Sequence, residues 1–347
     1  ALVNIKIFTK RKILNNFLFQ QHLKKENIIV VLMISDEIKK PKVILLLNVY
    51  NSAKTLPSFL KSLRNQYYKN FSILAIDDGS TDETVYILNK FKMKIKIIKI
   101  KHVGLRKARS YGVNHADCDI LVILDSDLIL KPTALSEMIK PFTINPKIAA
   151  VGGVLKNAEK GAITESYGEL RKIFLKLRSK KDGEVDWVNG GFCAVRKKVI
   201  DEIGGYAKDE TSEDLDISWR IREKGYKLYL ASKAIAFHKD PKTFREIWIR
   251  EFNVGKREFH LSKKHRSQAL KIKRLSRFYP IFLPLPLILL LIVYWPLLLL
   301  FLALSLVSML LILKGRLLTR ITAWLTFNVM NFAYCTGFIL SFFKKNN

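Results

Sequence analysis

The sequence predicts an α/β fold with a mainly parallel sheet covered by helices on both faces, and three features support this prediction. From Lys42 onward, short apolar segments alternate with longer segments whose apolar residues recur at helical spacing. The short segments are apolar throughout, as in strands that are buried on both faces of a parallel sheet. Polar clusters directly follow three of them, where α/β sheets bind their ligands.

Four strands and three helices are predicted in the first part of this region. The strands are residues 42–48, 71–77, 94–100 and 119–125, and the helices are residues 53–66, 81–91 and 105–116. The polar clusters are residues 48–51, 77–82 and 125–127. Because the carboxyl ends of parallel strands lie at one edge of the sheet, the three clusters are expected to line a single crevice.

The composition excludes several classes of protein. The formal net charge of +30 suits nucleic acid, an anionic membrane or a polyanionic substrate equally well. Many basic residues lie beside an apolar C-terminal region and no nucleic-acid motif accompanies them, so nucleic acid is not an expected partner.

The three cysteines are far apart, which disfavours a disulfide framework or a zinc site. No GxGxxG follows the first strand and no GxxxxGK[ST] occurs, which disfavours a dinucleotide fold or a P-loop.

The C-terminal region predicts a multi-pass membrane protein. Residues 279–313 contain no charged side chain, and this stretch is too long for one untilted span. Pro296 favours a helical hairpin with spans at about 279–295 and 297–313, and a single kinked span is the alternative. Another apolar stretch, 318–342, predicts a further span.

The regions on either side of the α/β domain, residues 41–258, are basic. Residues 259–278 form a juxtamembrane collar rich in Lys and Arg with no acid, so the positive-inside rule predicts that the domain before it is cytosolic. Residues 1–40 are a basic extension with no signal-peptide cleavage pattern. This extension is expected to be disordered, to form an amphipathic surface helix, or to precede a true start at Met33.

Five segments, in order between residue 42 and about residue 257, resemble a family-2 nucleotide-sugar glycosyltransferase of the GT-A fold. They are VILLLNVYN, DDGSTDET, GLRKARSYGVNHADCDILVILDSD, VNGGFCAVRKKVIDEIGGY and SEDLDISWRIREKGYKLYL. Each is weak alone, but their order and spacing are specific. The resemblance, which extends to polyprenyl-phosphate sugar synthases, implies inverting, metal-dependent transfer from a UDP- or GDP-sugar.

The DxD motif, Asp125 and Asp127, is the expected metal site. If the backbone there is extended, alternate residues share a face and both carboxylates can reach one ion. Mg²⁺ or Mn²⁺ suits oxygen ligands together with substrate phosphates. The resemblance makes Asp127 the more direct metal ligand and Asp125 a contact to the ribose or the metal. His238 is a candidate further ligand or acceptor contact, with a purely structural role as the alternative.

The resemblance also assigns residues to the nucleotide. Asp78 is expected to accept an N–H of the base, with Asp77 as the less direct contact. Tyr50 is expected to stack on the base and Asn51 to shape the pocket. Arg109 is a candidate phosphate or ribose contact, because it lies in a basic segment beside the crevice. A proline is more usual where this chain has Leu47 and Asn48, so the backbone there is expected to differ.

The acceptor side is predicted from the last two segments. Gly190 and Gly191 are expected to let the backbone approach the sugar closely. An inverting transfer needs a base that removes the acceptor proton, and the resemblance assigns this role to Asp214, with Glu213 beside it in the nucleotide-sugar site. Asp216 is expected to face elsewhere, because this segment is predicted to be helical.

One motif departs from the processive polysaccharide synthases of the same family. Their QxxRW box is replaced here by residues 247–251, in which Ile247 and Glu251 stand for the glutamine and the tryptophan. This disfavours a processive synthase of the cellulose, chitin or hyaluronan type. Arg250 retains the position of the box arginine and is a candidate contact to the diphosphate.

The sequence therefore predicts a membrane-bound transferase that moves one sugar to a lipid-linked or cell-surface glycan acceptor. The alternative is a catalytically inactive GT-A-fold scaffold or binding protein in the membrane. The four acids at Asp78, Asp125, Asp127 and Asp214 favour the enzyme, because an inactive scaffold has no need of them.

Overall fold

The computed structural model describes residues 41–158, 160–176, 181–206, 212–265 and 317–343, together with residues 303, 306 and 307. Its strands are β1 (Val43–Val49), β2 (Phe71–Asp77), β3 (Ile95–Lys99), β4 (Ile120–Asp125), β5 (Ile129–Leu130), β6 (Ile148–Asn157), β7 (Gly183–Val185), β8 (Phe192–Arg196) and β9 (Lys227–His238). Its helices are α1 (Leu56–Arg64), α2 (Thr84–Lys90), α3 (Leu105–His115), α4 (Ala134–Ile144), α5 (Ala162–Lys176), α6 (Lys197–Glu202), α7 (Glu213–Glu223), α8 (Phe244–Lys264) and α9 (Leu317–Phe343).

One mixed sheet organises the described chain, in the strand order β3-β2-β1-β4-β8-β6-β9-β5, with β7 paired to β9. Strands β3, β2, β1 and β4 are mutually parallel. Strand β8 is antiparallel to both β4 and β6, while β6 and β9 are parallel. The predicted α/β class is confirmed, and each of the four predicted strands agrees with an observed strand to within about one residue at either end.

Helices cover both faces of the sheet, which explains why its central strands are apolar without alternation. Successive residues of β1 enter two separate cores, with Leu45 and Leu47 in one and Leu46 in the other. Helices α1, α2 and α4 pack on the first face, and α3, α6 and α7 on the second. Each fully buried leucine in these cores contributes about 1.5–3 kcal/mol to stability.

The apolar helix α9 packs along α8 and also contacts α5. A side chain at Gly255 would collide with the backbone oxygen of Tyr334, and one at Gly337 would collide with that of Phe252. The hydroxyl of Tyr334 donates to Oε2 of Glu258 at 2.8 Å. The two glycines therefore allow the backbones of α8 and α9 to approach closely.

Helix α9 agrees with the last predicted span, 318–342. Its residues Ile321–Ser341 are long and apolar enough to cross a bilayer. This finding alone is weak evidence for a membrane, because a buried helix of a soluble protein meets the same criteria. The face of α9 that points away from the domain exposes large apolar side chains, namely Ile321, Leu325, Phe332 and Leu340.

The chain divides into two units, Ala1–Lys42 and Val43–Asn347. The predicted N-terminal extension 1–40 lies outside the described residues. So do the predicted spans 279–295 and 297–313, apart from residues 303, 306 and 307, and the part of the collar after His265.

Candidate active site

Three parallel strands end at one level and bring the predicted polar clusters together. In the register of the sheet, Val49 of β1 faces Asp77 of β2, and Asn48 of β1 faces Asp125 of β4. The hydroxyls of Ser52 and Ser126, in the loops after β1 and β4, are 3.0 Å apart. The expected crevice is therefore at this edge of the sheet.

Arg109 of α3 forms ion pairs with carboxylates from two other elements, β4 and α7. Its side chain is 2% exposed, and Nη2 donates to Oδ1 of Asp125 at 2.8 Å. Nη1 donates to Oε1 of Glu213, at the start of α7. Burial lowers the pKa of Arg109, but the two carboxylates outweigh burial and raise it above its usual value. Burial raises the pKa of Glu213 even against the opposing charge of Arg109.

The paired glycines before β8 leave room for this network. A Cβ atom at Gly191 would overlap the carboxylate of Asp125. A Cβ atom at Gly190 would lie 3.3 Å from both Nη1 of Arg109 and Cβ of Asp214. Because both positions are glycine, the backbone before β8 can approach the charged side chains closely.

The two acids of the DxD motif have different partners. Strand β4 ends at Asp125 and residues 126–127 form a turn, so the expectation of an extended segment with both carboxylates on one face is wrong. Asp125 binds Arg109, whereas Oδ2 of Asp127 lies 3.2 Å from Nε2 of His238, at the end of β9. Burial raises the pKa of Asp127, but the hydrogen bond and charge of His238 outweigh it and lower the pKa. Burial lowers the pKa of His238, but bonding to Asp127 and Asp240 raises it to about 9.

Asp127 and His238 fit a divalent cation that the substrate helps to coordinate. Within the described residues, no group of three or more His, Cys, Asp or Glu side chains could hold a metal ion by itself. Oδ1 of Asp127 is nevertheless buried without a hydrogen-bond partner, and the buried Nδ1 of His238 has only a longer contact, 3.7 Å to Oδ1 of Asp240. Mg²⁺ typically binds one or two protein carboxylates plus substrate phosphates, so a full protein cage is not required.

An aromatic shelf, formed by the rings of Tyr50 and His102, lies beside the end of β2. The rings of Tyr50 and His102 stack with centroids 4.2 Å apart, and Tyr50 is 46% exposed. Asp78 is buried beneath them, and its two oxygens accept the backbone N–H groups of Val103 and Gly104 at 2.8 and 2.9 Å. Asp77 is also buried and accepts the backbone N–H of Ser80 at 3.1 Å.

Asn51 fixes the loop next to this shelf. Its φ is 45°, in the left-handed region that Asn tolerates better than most residues. Its Oδ1 accepts the backbone N–H of Thr81 at 2.8 Å, and its own N–H donates to Oγ of Ser80 at 3.0 Å. Asn51 therefore ties the loop after β1 to the loop after β2.

Asp214 lies in the first turn of α7, partly exposed on the crevice. Its Oδ1 accepts hydrogen bonds from the hydroxyl of Ser212 at 2.8 Å and the backbone N–H of Leu215 at 3.0 Å. Asp216 is fully buried and faces away, towards Arg220 and His265. The expectation that Asp214 and Asp216 face different directions agrees with the structure.

Helix α8 brings two arginines to the same region. The guanidinium of Arg250 stacks over the ring of Tyr167 at 5.5 Å, and its charge lowers the pKa of Asp127. Arg257 lies two turns further along and is partly buried. It interacts electrostatically with Asp214 and Glu213.

Unpaired buried atoms are concentrated in this crevice. Among the described residues, eight have buried side-chain nitrogen or oxygen atoms without a hydrogen-bond partner. Five of these eight residues lie here: Asn48, Arg109, Asp127, Glu213 and His238. Such atoms are rare in native structures and indicate a missing ion, water or ligand.

Comparison with protein families agrees with this geometry. Residues 45–204 match the family model described as glycosyl transferase family 2. This stretch, a little under half of the chain, is similar to the family 2 glycosyltransferases. The match begins in β1 and ends just after α6, so it includes the DxD motif and the paired glycines.

Curated proteins similar to this chain include two named poly-beta-1,6-N-acetyl-D-glucosamine synthases. The protein from Staphylococcus epidermidis is 25% identical over 247 residues, which cover 68% of this chain and 59% of the relative. The protein from Staphylococcus aureus strain COL is 28% identical over 211 residues, which cover 58% of this chain and 51% of the relative. The match thus spans only between a half and three fifths of these relatives.

A solved structure confirms the GT-A-type fold. It is the mannosyltransferase PcManGT from Pyrobaculum calidifontis, determined in complex with GDP-Man and Mn²⁺. The TM-score is 0.62 at 18% identity, and the match covers 89% of each chain. At this identity the likeness establishes the fold alone.

Three residues of the candidate site were given no role from the sequence. His102 follows β3, so the end of that strand could have identified it. Asn48 was placed in the polar cluster 48–51 and noted as a departure from the family pattern, but its buried amide, which has no hydrogen-bond partner, was given no role. Arg257 lies seven residues after Arg250, a spacing that keeps two side chains on one helix face.

Proposed function

We propose that the protein is an inverting, metal-dependent glycosyltransferase that transfers a sugar from a UDP- or GDP-sugar to an acceptor held at a membrane. The supporting observation is the convergence at one crevice of Asp127 with His238, of Arg109 with Asp125, and of Asp214. The DxD motif and Arg109 lie within the stretch that matches the family 2 model, and Asp214 and His238 follow it. All five side chains lie around the ends of β4 and β9 and the start of α7.

The donor nucleotide binds, in this proposal, beside the shelf after β1 and β2. Tyr50 stacks on the base, and Asn51 holds the loop that carries Tyr50. Asp78 accepts an N–H of the base, with Asp77 supporting the same turn. The two backbone bonds to Asp78 do not exhaust its capacity, because a carboxylate offers about four acceptor positions.

The diphosphate and the donor sugar lie further along the crevice. Asp127 and His238 hold Mg²⁺ or Mn²⁺, and the ion, when bound, neutralises charge on the departing diphosphate. Asp125, fixed by Arg109, accepts a hydrogen bond from the ribose. Arg250 contributes a positive charge on the diphosphate side, since its charge also reaches Asp127.

Asp214 acts as the general base in this proposal. Its carboxylate is oriented by Ser212 and Leu215, which leaves Oδ2 available for the proton of the acceptor. Gly190, beside Cβ of Asp214, leaves space for the acceptor and the anomeric carbon. Glu213 does not serve as a second base, because it is bonded to Arg109.

The membrane part of the proposal rests on α9 and the predicted spans. The exposed apolar side chains of α9 suit lipid contact. We propose four regions: the extension 1–40, the catalytic domain 41–258 on the cytosolic side, the basic collar 259–278 and the membrane region 279–343. A multi-pass arrangement stays a prediction, because two of its three spans lie outside the described residues. The acceptor is lipid-linked or part of a cell-surface glycan.

Repeated transfer is the second candidate. The names of the curated relatives, poly-beta-1,6-N-acetyl-D-glucosamine synthases, favour a polysaccharide product. Ile247 and Glu251, in place of the glutamine and tryptophan of QxxRW, favour transfer of a single sugar. Mass spectrometry of the product distinguishes the two. Single transfer increases the mass of the acceptor by one sugar residue, whereas repeated transfer gives a series of products that differ by one sugar residue each.

The decisive experiment incubates the full chain in membranes with UDP- and GDP-sugars, with Mg²⁺, Mn²⁺ or a chelator. Wild type is expected to release nucleoside diphosphate, while Asp127→Asn and Asp214→Asn each lower the rate at least about 100-fold. Asp201→Asn, an exposed acid on α6, is the matched control. Undiminished turnover in the two site variants would contradict the proposed mechanism, and no turnover of any donor by wild type would support the inactive scaffold instead.

A further inference from the structure

Residues 247–251, which stand in place of the QxxRW box, pack around one tyrosine of α5. Tyr167 is 2% exposed and belongs to the same apolar cluster as the fully buried Ile247. Its hydroxyl donates to Oε1 of Glu251 at 2.7 Å. The guanidinium of Arg250 lies over its ring, 5.5 Å from the centroid. Both replaced residues and the arginine therefore lie around a single side chain.

The two replacements suit this tyrosine chemically. Residues 247, 250 and 251 are three and four positions apart, so they share one face of α8. At position 247 a glutamine would bury its amide in an apolar cluster, which is costly unless the amide finds partners, whereas isoleucine fits there. At position 251 a tryptophan could only donate a hydrogen bond, whereas glutamate accepts one from the hydroxyl of Tyr167. Both changes therefore help to hold the ring.

Helix α5 is fixed against the proposed metal residues. A Cβ atom at Gly168, the residue after this tyrosine, would lie 3.7 Å from Oδ2 of Asp240. Oδ1 of Asp240 lies 3.7 Å from Nδ1 of His238. One turn earlier in α5, the hydroxyl of Thr164 donates to the backbone oxygen of Pro241 at 3.1 Å. The ring of Tyr167 is therefore held at the end of β9, beside the crevice.

Stacking on this ring restricts the position of Arg250. An arginine side chain has many rotamers, and its planar guanidinium stacks on aromatic faces. The ring covers a face of the guanidinium, while its N–H groups lie in the plane and point outwards from its edges, in a fork that fits phosphate oxygens. The charge of Arg250 acts on both Asp127 and His238, so the guanidinium lies on the metal side of the crevice.

We propose that Tyr167 is a positioning residue, which holds the guanidinium of Arg250 at the donor diphosphate and thereby raises the affinity for the second phosphate. This inference rests on the proposed function, in which Arg250 contacts the diphosphate. Tyr167 acts through Arg250 rather than on the substrate, because it is almost fully buried. Ile247 and Glu251 serve the same purpose by fixing the tyrosine.

The test compares nucleoside diphosphates with monophosphates, so it does not depend on turnover. The full chain, purified in a neutral detergent, is titrated by calorimetry with UDP, UMP, GDP and GMP in the presence of Mg²⁺. The ratio of the monophosphate Kd to the diphosphate Kd measures the contribution of the second phosphate. Arg250→Gln is expected to lower this ratio at least about tenfold, and Tyr167→Leu about 3–30-fold. Monophosphate affinity is expected to stay within about twofold of wild type in both variants.

A double variant separates positioning from a purely structural role. If Tyr167 acts through Arg250, adding Tyr167→Leu to Arg250→Gln should change the ratio by no more than about twofold. Tyr167→Phe keeps the aromatic face and is expected to stay within about threefold of the wild-type ratio. If Tyr167→Leu does not fold, Tyr167→Met replaces it, because methionine fills irregular gaps without offering a ring.

Tyr334 of α9 provides a matched control. It is also a buried tyrosine, and its hydroxyl donates to a glutamate of α8, Glu258, at 2.8 Å. Glu258 lies about two turns after Arg250. Tyr334→Leu therefore disturbs the packing of α8 in a similar way, but it is expected to leave the ratio of Kd values within about twofold of wild type.

Several results would overturn the proposal. An unchanged ratio in Tyr167→Leu would mean that Arg250 needs no support from the ring. A further loss in the double variant would mean that Tyr167 acts by another route, and an equal loss in Tyr334→Leu would indicate a general disturbance of α8. Equal binding of UDP and UMP, and of GDP and GMP, by wild type would mean that the second phosphate is not recognised.

The proposed function is judged separately, by sugar transfer. If transfer is lost in Asp127→Asn and Asp214→Asn, the proposed function stands even when the ratios contradict the role of Tyr167. The expected ratios in a protein that transfers no sugar would contradict the proposed function and leave this inference standing.

Discussion

Arg109 and Asp125 join the donor-side strand β4 to helix α3 through a hydrogen bond of 2.8 Å between Nη2 and Oδ1. The same guanidinium also binds Glu213 of α7, so one buried side chain connects three elements. Glu213 is mostly buried, so keeping its carboxylate charged without this partner would be costly, whereas Asp125 is 38% exposed and depends on the pair less.

Arg109→Met should therefore destabilise the fold. Removing one member of a buried ion pair costs about 3–5 kcal/mol, and this applies to the pair with Glu213. The pair with Asp125 adds little, because that carboxylate is 38% exposed and screened by solvent. Urea denaturation, monitored by circular dichroism, measures the loss. Lys107→Met, an exposed change two residues away, should alter the free energy of unfolding by no more than about 0.5 kcal/mol. Similar values for the two variants would argue against a buried network.

His238→Gln should weaken the response of the enzyme to metal. Nε2 of His238 lies 3.2 Å from Oδ2 of Asp127, and its buried Nδ1 lies 3.7 Å from Oδ1 of Asp240. Loss of such a group typically lowers metal affinity or activity about 10–100-fold. The measurement is the Mn²⁺ or Mg²⁺ concentration that gives half-maximal donor turnover after chelator treatment. His115→Gln, an exposed histidine stacked on Tyr111, should leave that concentration unchanged.

Tyr50→Ala should weaken binding of UDP and GDP to the same extent. Stacking of a base on an aromatic ring contributes about 1–3 kcal/mol and depends little on which base is present. Kd values from calorimetry are expected to rise about 5–150-fold for both nucleotides. Tyr86→Ala, an exposed tyrosine on α2, is the control. A loss confined to one nucleotide would point to base-specific contacts rather than stacking.

Asp216 should make the stability of the fold depend on acid pH. Burial raises its pKa, but bonding to His265, Arg220 and Lys264 outweighs burial and lowers the pKa below its usual value. A carboxyl with a depressed pKa in the folded state stabilises fully above the unfolded pKa of about 3.9. That stabilisation is lost as pH falls through the lower, folded value. Asp216→Asn should be less stable than wild type at pH 7 and should lose less on acidification, as followed by urea denaturation between pH 6 and pH 2. Parallel pH curves for both proteins would contradict this.

Gly255→Ala should disturb the packing of α8 on α9. The added Cβ would meet the backbone oxygen of Tyr334, which cannot rotate out of the way. Overpacking of this kind costs about 1–3 kcal/mol. Thermal unfolding of the full chain in detergent measures the effect. Gly183→Ala, at a glycine whose Cβ would have open space, should leave the midpoint nearly unchanged.

The sequence predicted the elements better than the arrangement of side chains. Apolar strands and their polar ends are local properties, so residues 42–125 could be assigned with accurate bounds. The partners of Asp125 and Asp127 could not be predicted, because a two-residue turn directs one carboxylate towards α3 and the other towards β9. The antiparallel pairing of β8 with β4 also depends on contacts between residues that are distant in sequence. The seven-residue spacing places Arg257 on the same helix face as Arg250, but its interaction with Asp214 and Glu213 depends on the packing of α8 on α7, which no local pattern reveals.

Strand pair β4–β8 has a consequence for how this protein could change its substrate. The residues proposed for the nucleobase and the ribose all precede Lys131. The proposed general base Asp214 follows β8, and so do His238 and Arg250, which are proposed for the metal and the diphosphate. The two groups meet where the backbone N–H of Asp125 donates to the oxygen of Gly191 at 3.0 Å. An exchange of the segment after β8 between related chains would thus alter the acceptor and the diphosphate contacts while the pocket for the nucleobase and ribose is kept, which makes this junction a natural point at which to build chimeras.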